Sequence, residues 1–307
     1  MPQTILLLGN GINSINNNSS WENLLKLLYD KYYDPNVDFD DLKGKPFPMV
    51  YEQIVLWQFQ KGNRGIEKEL KELIAAETRK ISPNPIHKKI TGGQWDHIIT
   101  TNYDFSLLNG EPEKPDHAES IRETKYSIFR NFRSGDKTFW HIHGDVGSTK
   151  SINLGYDHYC GQLQRMREYV TGKYSTSNEK MAKIISGPLR RRLLKENYEV
   201  QSWIDFFFKD DTTIKIIGLR LDMEELDLWW LLTYRPRVIY GDSHGIRPPM
   251  NNKIEYFIPR RYTLDKRGNE SKEYRIKKDL MEKLAIKVVP IDEEHGETYY
   301  INALRKK

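Results

Sequence analysis

Short apolar runs punctuate the chain at wide intervals, and amphipathic stretches fill the space between them. Ile5-Leu6-Leu7-Leu8 is apolar without a break, the pattern of a strand buried on both faces, and it predicts a strand over Thr4–Leu8. The same pattern predicts strands at His97–Thr101, Thr138–Ile142, Thr213–Ile217, Ile254–Ile258 and Ile286–Ile291. Between the runs the spacing turns helical. Leu24, Leu25, Leu28 and Tyr32 share one side of a helix that Ser19 and Glu22, at capping-box spacing, would open. Val50–Lys61 carries Ile54, Val55 and Trp57. Ile66–Ile81 carries Leu70, Leu73 and Ile74, and Pro83 and Pro85 end it. Residues 156–208 read as largely helical with a hinge at Gly187-Pro188, and helices are predicted at Leu226–Leu232 and Lys277–Leu284. Asn16-Asn17-Asn18, residues 33–47 and residues 109–135 read as loop.

Strands alternating with helices predict an α/β fold, a doubly wound parallel sheet of Rossmann-like type. About ninety residues separate the first strand from the second, far more than one crossover needs. The expectation is therefore a single domain over residues 1–307 with helical insertions near 20–90 and 156–208 that form a lobe. Open sheets of this type bind ligands at the carboxyl ends of their strands. The residues that close each apolar run are thus the candidates for chemistry.

Three runs end in such residues. Gly9-Asn10-Gly11-Ile12-Asn13-Ser14 follows the first strand as an incomplete dinucleotide fingerprint, with Ser14 where a third glycine would stand. Its glycines let backbone amides approach a pyrophosphate, and a plain tight turn would read the same way. Thr100-Thr101-Asn102-Tyr103-Asp104 closes the second run. Asn102 either turns the chain or offers an amide that grips a ribose and orients a water. Asp104 either orients that amide or pairs locally. His141-Ile142-His143-Gly144 closes the third, and strand alternation places both histidines on one face. Either can act as a general base near neutral pH. The two could also begin a metal site, for which the sequence offers no third ligand.

These motifs together resemble the sirtuin-like NADases of bacterial anti-phage defence, across Gly9 to about Asp222. The related abortive-infection protein H family shares the Gly-Asn-Gly opening and the His-Gly element. The resemblance implies a sirtuin-like NAD-binding fold that cleaves NAD to nicotinamide and ADP-ribose. It implies catalytic roles for Asn102 and His143, the histidine directly before glycine, with Asp104 beside them. Cofactor contacts are implied for Gly9, Asn10, Gly11, Asn13 and Thr101, and for Gly218, Arg220 and Asp222 in Gly218-Leu219-Arg220-Leu221-Asp222, where Arg220 replaces the family's serine. Arg220 either forks onto a phosphate or pairs with Asp222 or Glu224 at the surface. His158 and Tyr159 either line the cleft or, the favoured reading, belong to an aromatic core. The rivals to hydrolysis are a non-catalytic sensor of NAD or ADP-ribose-type nucleotides and a protein ADP-ribosyltransferase.

Composition narrows this further. The 307 residues include a single cysteine, Cys160, so the zinc site of four cysteines that sirtuin deacylases carry cannot form. The expectation is a metal-independent reaction with NAD as substrate in a reducing, cytoplasmic setting. No apolar run reaches membrane-spanning length, and Ile5–Leu8 is too short for a signal peptide. The net charge of +5 is mild, and Arg190-Arg191-Arg192 with Lys195 reads as a solvated helix face rather than a nucleic-acid patch. About sixteen residues follow the last strand, too few for a sensing domain, so control is expected through a homo-oligomer or a partner defence protein. The 156–208 stretch, with Leu193-Leu194 and Phe206-Phe207-Phe208, is the expected contact surface.

Overall fold

All the predicted strands form. The computed structural model describes residues 3–15, 21–42, 44–108, 125–222, 224–240 and 251–306. The strands are β1 Gln3–Leu8, β2 His97–Thr100, β3 Asn131–Ser134, β4 Lys137–His141, β5 Thr212–Ile217, β6 Lys253–Pro259 and β7 Ile286–Ile291. They make one seven-stranded sheet in the order β3-β4-β2-β1-β5-β6-β7. Only the β3–β4 pair is antiparallel. The parallel strands run outward from β1 to β2 and β4, then return to β5 on its other side, which is the Rossmann order with its reversal between β1 and β5.

The helices are α1 Trp21–Tyr32, α2 Phe47–Gln60, α3 Ile66–Thr78, α4 Pro85–Thr91, α5 Tyr156–Thr171, α6 Glu179–Ile184, α7 Leu189–Leu193, α8 Leu226–Tyr240, α9 Lys272–Lys283 and α10 Glu297–Arg305. Alternate residues of β1 divide between two cores. Leu6 and Leu8 pack with Ile86 and Ile90 of α4 and with Tyr299 and Tyr300 of α10. Ile5 and Leu7 pack with Met166 of α5, Leu228 and Leu231 of α8 and Met281 of α9. A third core joins α1, α2 and α3 to Tyr103, Phe105, Ile152 and Leu154, which follow β2 and β4. The helical insertion after β1 thus sits over the segments that leave the sheet's carboxyl edge.

Several elements differ from the sequence reading, each for a local reason. Pro85 does not merely end a helix. It occupies the first turn of α4, where its missing N–H costs nothing, and Asn84 caps that helix by accepting from Ile86 N and His87 N. Residues 131–134 form β3, a polar edge strand that pairs back on β4 across Gly135 (φ +62°). Tyr299, Tyr300, Ala303 and Leu304 give α10 its buried side. Gly187 is a left-handed turn (φ +80°) between α6 and α7. Residues 156–208 share the sheet's own core instead of building a separate one, and Phe206, Phe207 and Phe208 lie inside it. Arg192 is buried too, donating to Tyr169 O at 2.9 Å and lying over the Tyr169 ring, so the basic run is not a uniformly solvated face. Asn16-Asn17-Asn18 and Ser19 lie outside the described residues. Among the described residues no helix is long and apolar enough to cross a membrane.

Candidate active site

Sheet register brings the strand ends together. Leu8 pairs with Thr100 on one side and Ile217 on the other, and Thr100 pairs with His141. Backbone bonds extend the pairing one residue further: Gly9 N donates to Ile217 O (3.2 Å), Thr101 N to Leu8 O (3.1 Å) and Ile142 N to Thr100 O (3.0 Å). His143, Asn102, Gly9 and Gly218 therefore follow one another along a single edge, with the topological reversal between the last two.

The glycine turn is packed against the end of β5. A Cβ on Gly9 would lie 2.6 Å from Gly218 O, and one on Gly11 would lie 2.7 Å from that oxygen and 2.8 Å from the Tyr300 hydroxyl. Gly218 itself is left-handed (φ +67°) and abuts the same tyrosine. The amide hydrogens of Gly9 and Gly11 are spent on Ile217 O and Gly218 O. The glycines here close a backbone joint. Neither amide points outward to a phosphate.

Below the turn, polar side chains form a chain whose bond directions are fixed by one backbone amide. Asn84 N can only donate, so His87 Nδ1 accepts (3.1 Å) and His87 Nε2 carries the proton. Nε2 then donates to Asn13 Oδ1 (3.1 Å), and Asn13 Nδ2 donates to Asp104 Oδ2 (2.7 Å) and to Asn10 Oδ1 (3.0 Å). Asp104 Oδ1 accepts from Ser106 N (2.9 Å). Burial lowers the His87 pKa, keeping the ring neutral as this chain requires. Asp104 thus orients Asn13.

Asn102 sits beside this joint. It is 4% exposed, its N donates to Thr100 Oγ1 (3.1 Å), and its Nδ2 lies 3.5 Å from Gly9 O. Its Oδ1 has no hydrogen-bond partner among the described residues. His141 lies under it, with Nδ1 3.0 Å from the Asn102 carbonyl and its ring edge-on to Phe105 and Phe132. Burial holds the His141 pKa down, against the pull of Asp145 and Asp104. His141 therefore supports the Asn102 backbone as a neutral ring.

His143 faces elsewhere. β4 ends at His141, so the alternation that aligned the two histidines does not extend to His143. The left-handed Gly144 (φ +98°) turns the chain there and packs against the Ser151 backbone, which is why a glycine follows the histidine. His143 Nε2 meets Asp227 Oδ2 at 2.9 Å, and Nδ1 lies 3.9 Å from Glu225 Oε2. Tyr159 of α5 stands edge-on to the ring with centroids 5.4 Å apart, and His158 is buried and accepts from Leu154 N and Gly155 N. Burial alone would depress the His143 pKa. The Asp227 carboxylate outweighs it, with help from Glu225, and the pKa lies above the usual imidazole range. Asp227 is fully buried and its Oδ1 has no hydrogen-bond partner among the described residues, nor does Glu225 Oε2. Glu225 is partly exposed (23%), and burial of its oxygens, opposed by His143, raises its pKa to about 7. Donor atoms of His143, Glu225 and Asp227 lie within 4.8 Å of one another, a spacing a cation could also use.

The chain matches no protein-family model and no curated protein.

At the far end of the edge, Arg220 and Asp222 pair with each other at 3.2 Å, Arg220 exposed and Asp222 half-buried. Sequence reasoning missed Asp227 and Glu225. Their signal was an acid inside the apolar run Leu226–Leu232: Asp227 opens α8 with its carboxylate on the buried side, where a helix N-terminus favours negative charge. Tyr103, read only as part of the Asn102 motif, donates its hydroxyl to Asn153 O, and its pKa is raised by burial first and then by the Glu225 and Asp227 carboxylates.

Proposed function

We propose that the protein is a sirtuin-like NAD hydrolase that cleaves NAD to nicotinamide and ADP-ribose without a metal, in a bacterial defence setting. The observation that carries the reading is the set of buried acceptors near the reversal of a Rossmann-ordered sheet: Asn102 Oδ1, Asp227 Oδ1 and Glu225 Oε2, which have no hydrogen-bond partner among the described residues. Buried acceptors left open call for a ligand that brings donors, and ribose hydroxyls, a carboxamide and a water are such donors. The likeness of Asn102 and His143 to the family motifs adds the reaction.

The chemistry needs little else. The bond between ribose C1′ and the pyridinium nitrogen breaks, and nicotinamide departs neutral, so no acid has to protonate it. Water adds its oxygen to C1′ through an oxocarbenium-like state and gives up a proton. His143 takes that proton, and Asn102 holds the ribose and the water in line. Control by self-association or by a partner protein completes the proposal.

Nicotinamide and ADP-ribose release, followed by chromatography across a range of protein concentrations, tests it. Wild type should release both in equal amounts, before and after chelation of divalent ions. Asn102→Ala should fold and lose release. Label from NAD appearing on protein would instead identify a transferase. Unchanged NAD, in the assay and in cells expressing the protein, marks a binding module and overturns the reading, as does an Asn102→Ala variant with wild-type turnover.

A further inference from the structure

His143 is held by a bond sequence that starts at a group of fixed polarity. The carbonyl of Ile142 can only accept, so the atom of Gln162 that lies 2.8 Å from it is the amide nitrogen. That orientation is locked a second time, because Gln162 Oε1 accepts from Asn153 Nδ2. The same Gln162 nitrogen lies 3.0 Å from Asp227 Oδ2, which therefore accepts from it. Asp227 Oδ2 also faces His143 Nε2 at 2.9 Å. An oxygen already accepting from one side offers its other lone pair to a donor, so Nε2 carries the hydrogen. Nδ1 is then the nitrogen with the lone pair, and it is the one that turns toward Glu225.

We infer that Asp227, seated by Gln162, is a positioning residue that holds His143 with its proton on Nε2 and leaves Nδ1, on the Glu225 side, as the working nitrogen. This rests on the reading of the protein as an NAD hydrolase and assigns the base within it to one atom. The parts come from three places in the chain. Asp227 opens α8, Gln162 lies on α5, and Ile142 follows β4, so the packing of α5 and α8 on the sheet sets the ring. A carboxylate in this place does two things. It selects the tautomer, and it stabilises the imidazolium that forms when Nδ1 takes the proton of the attacking water. The groups facing the ring are Asp227 and Glu225 from α8 and its lead-in and Tyr159 from α5, while the Tyr103 hydroxyl after β2 donates to Asn153 O.

Nitrogen-resolved NMR of the histidine rings, with turnover against pH, tests the assignment. In wild type at alkaline pH, His143 should carry its hydrogen on Nε2. Asp227→Asn keeps the shape and removes the charge. It should move the His143 titration down by on the order of one pH unit, shift the acid limb of the turnover profile with it, and lower kcat by ~10-fold or more with KM little changed. Asp227→Glu should restore part of the loss. A hydrogen on Nδ1 in the wild-type protein overturns the inference even if Asp227→Asn fails to fold, and an unmoved titration in a folded variant overturns it too. Absence of NAD turnover in wild type overturns the functional reading instead, while the NMR measurement still judges the role of Asp227.

Discussion

The Asn13 cluster below β1 and the His143 cluster beyond β4 use the same kinds of residue: an amide, a histidine and a carboxylate. In the first, the bonds run without a gap from Asn84 N through His87 and Asn13 to Asp104 and on to Ser106 N. In the second, Asp227 Oδ1, Glu225 Oε2 and the nearby Asn102 Oδ1 have no hydrogen-bond partner among the described residues. A buried acceptor without a donor costs on the order of 1–3 kcal/mol. A fold has no reason to bear several together unless something fills them. The comparison separates the two clusters more sharply than residue type can, because the closed one holds the glycine turn in place and the other is the one proposed to take a ligand.

The largest expected effect breaks the open side. His143→Ala should lower NAD turnover by roughly 10²–10⁴-fold, about 3–5 kcal/mol in the barrier. His141→Ala removes a ring that supports the Asn102 carbonyl and packs on Phe105 and Phe132, so its turnover loss should be clearly smaller and its loss of thermal stability larger. Kinetics and melting curves of the two variants, taken side by side, decide the matter. If His141→Ala is the inactive one, the roles are reversed.

The closed side should respond in stability. Gly218→Ala forces a left-handed residue and drives a methyl group into the Tyr300 hydroxyl. Strain and overpacking together should cost about 2–4 kcal/mol. Denaturant unfolding reads that loss, and a variant as stable as wild type would show that the joint between β1, β5 and α10 is slack.

How much of this division was legible in the chain depends on which signals are local. The unbroken Ile5–Leu8 run, the strand that ends before Asn102 and the strand that ends before His143 follow from apolar periodicity, and the sheet register then brings them together. The role of the glycines did not follow. Tyr300 comes from almost three hundred residues beyond Gly11 to fill the space beside it and Gly218, and no local pattern announces that contact. Pro85 was ambiguous for a different reason, since proline ends one helix and opens another by the same loss of an N–H. Asp227 left a trace, an acid on the inward side of an apolar helix, but its partner His143 is eighty-four residues away. The edge strand β3 is too polar for alternation to mark it.

The smallest effect sharpens the comparison by titration. Glu225 has its pKa raised from 4.5 to about 7, chiefly because burial disfavours its charged form. A group with a raised folded pKa binds its proton more tightly in the native state, so its contribution to stability is fully present below pH 4.5 and is lost as pH rises through about 7. Glu225→Gln keeps the shape of the neutral acid and cannot ionise. It should melt with wild type at pH 4.5 and about 2–4 °C above it at pH 8, the shift that ~1 kcal/mol produces in a chain of this size. Asp104, tied to Asn13 and Ser106, serves as the control from the closed cluster: Asp104→Asn should lower the melting temperature at pH 8, because it removes an acceptor that is already in use. Opposite signs for the two acids at one pH follow only if one site is complete and the other is open. The same sign for both would mean that the unpartnered oxygens near His143 are met by the protein itself.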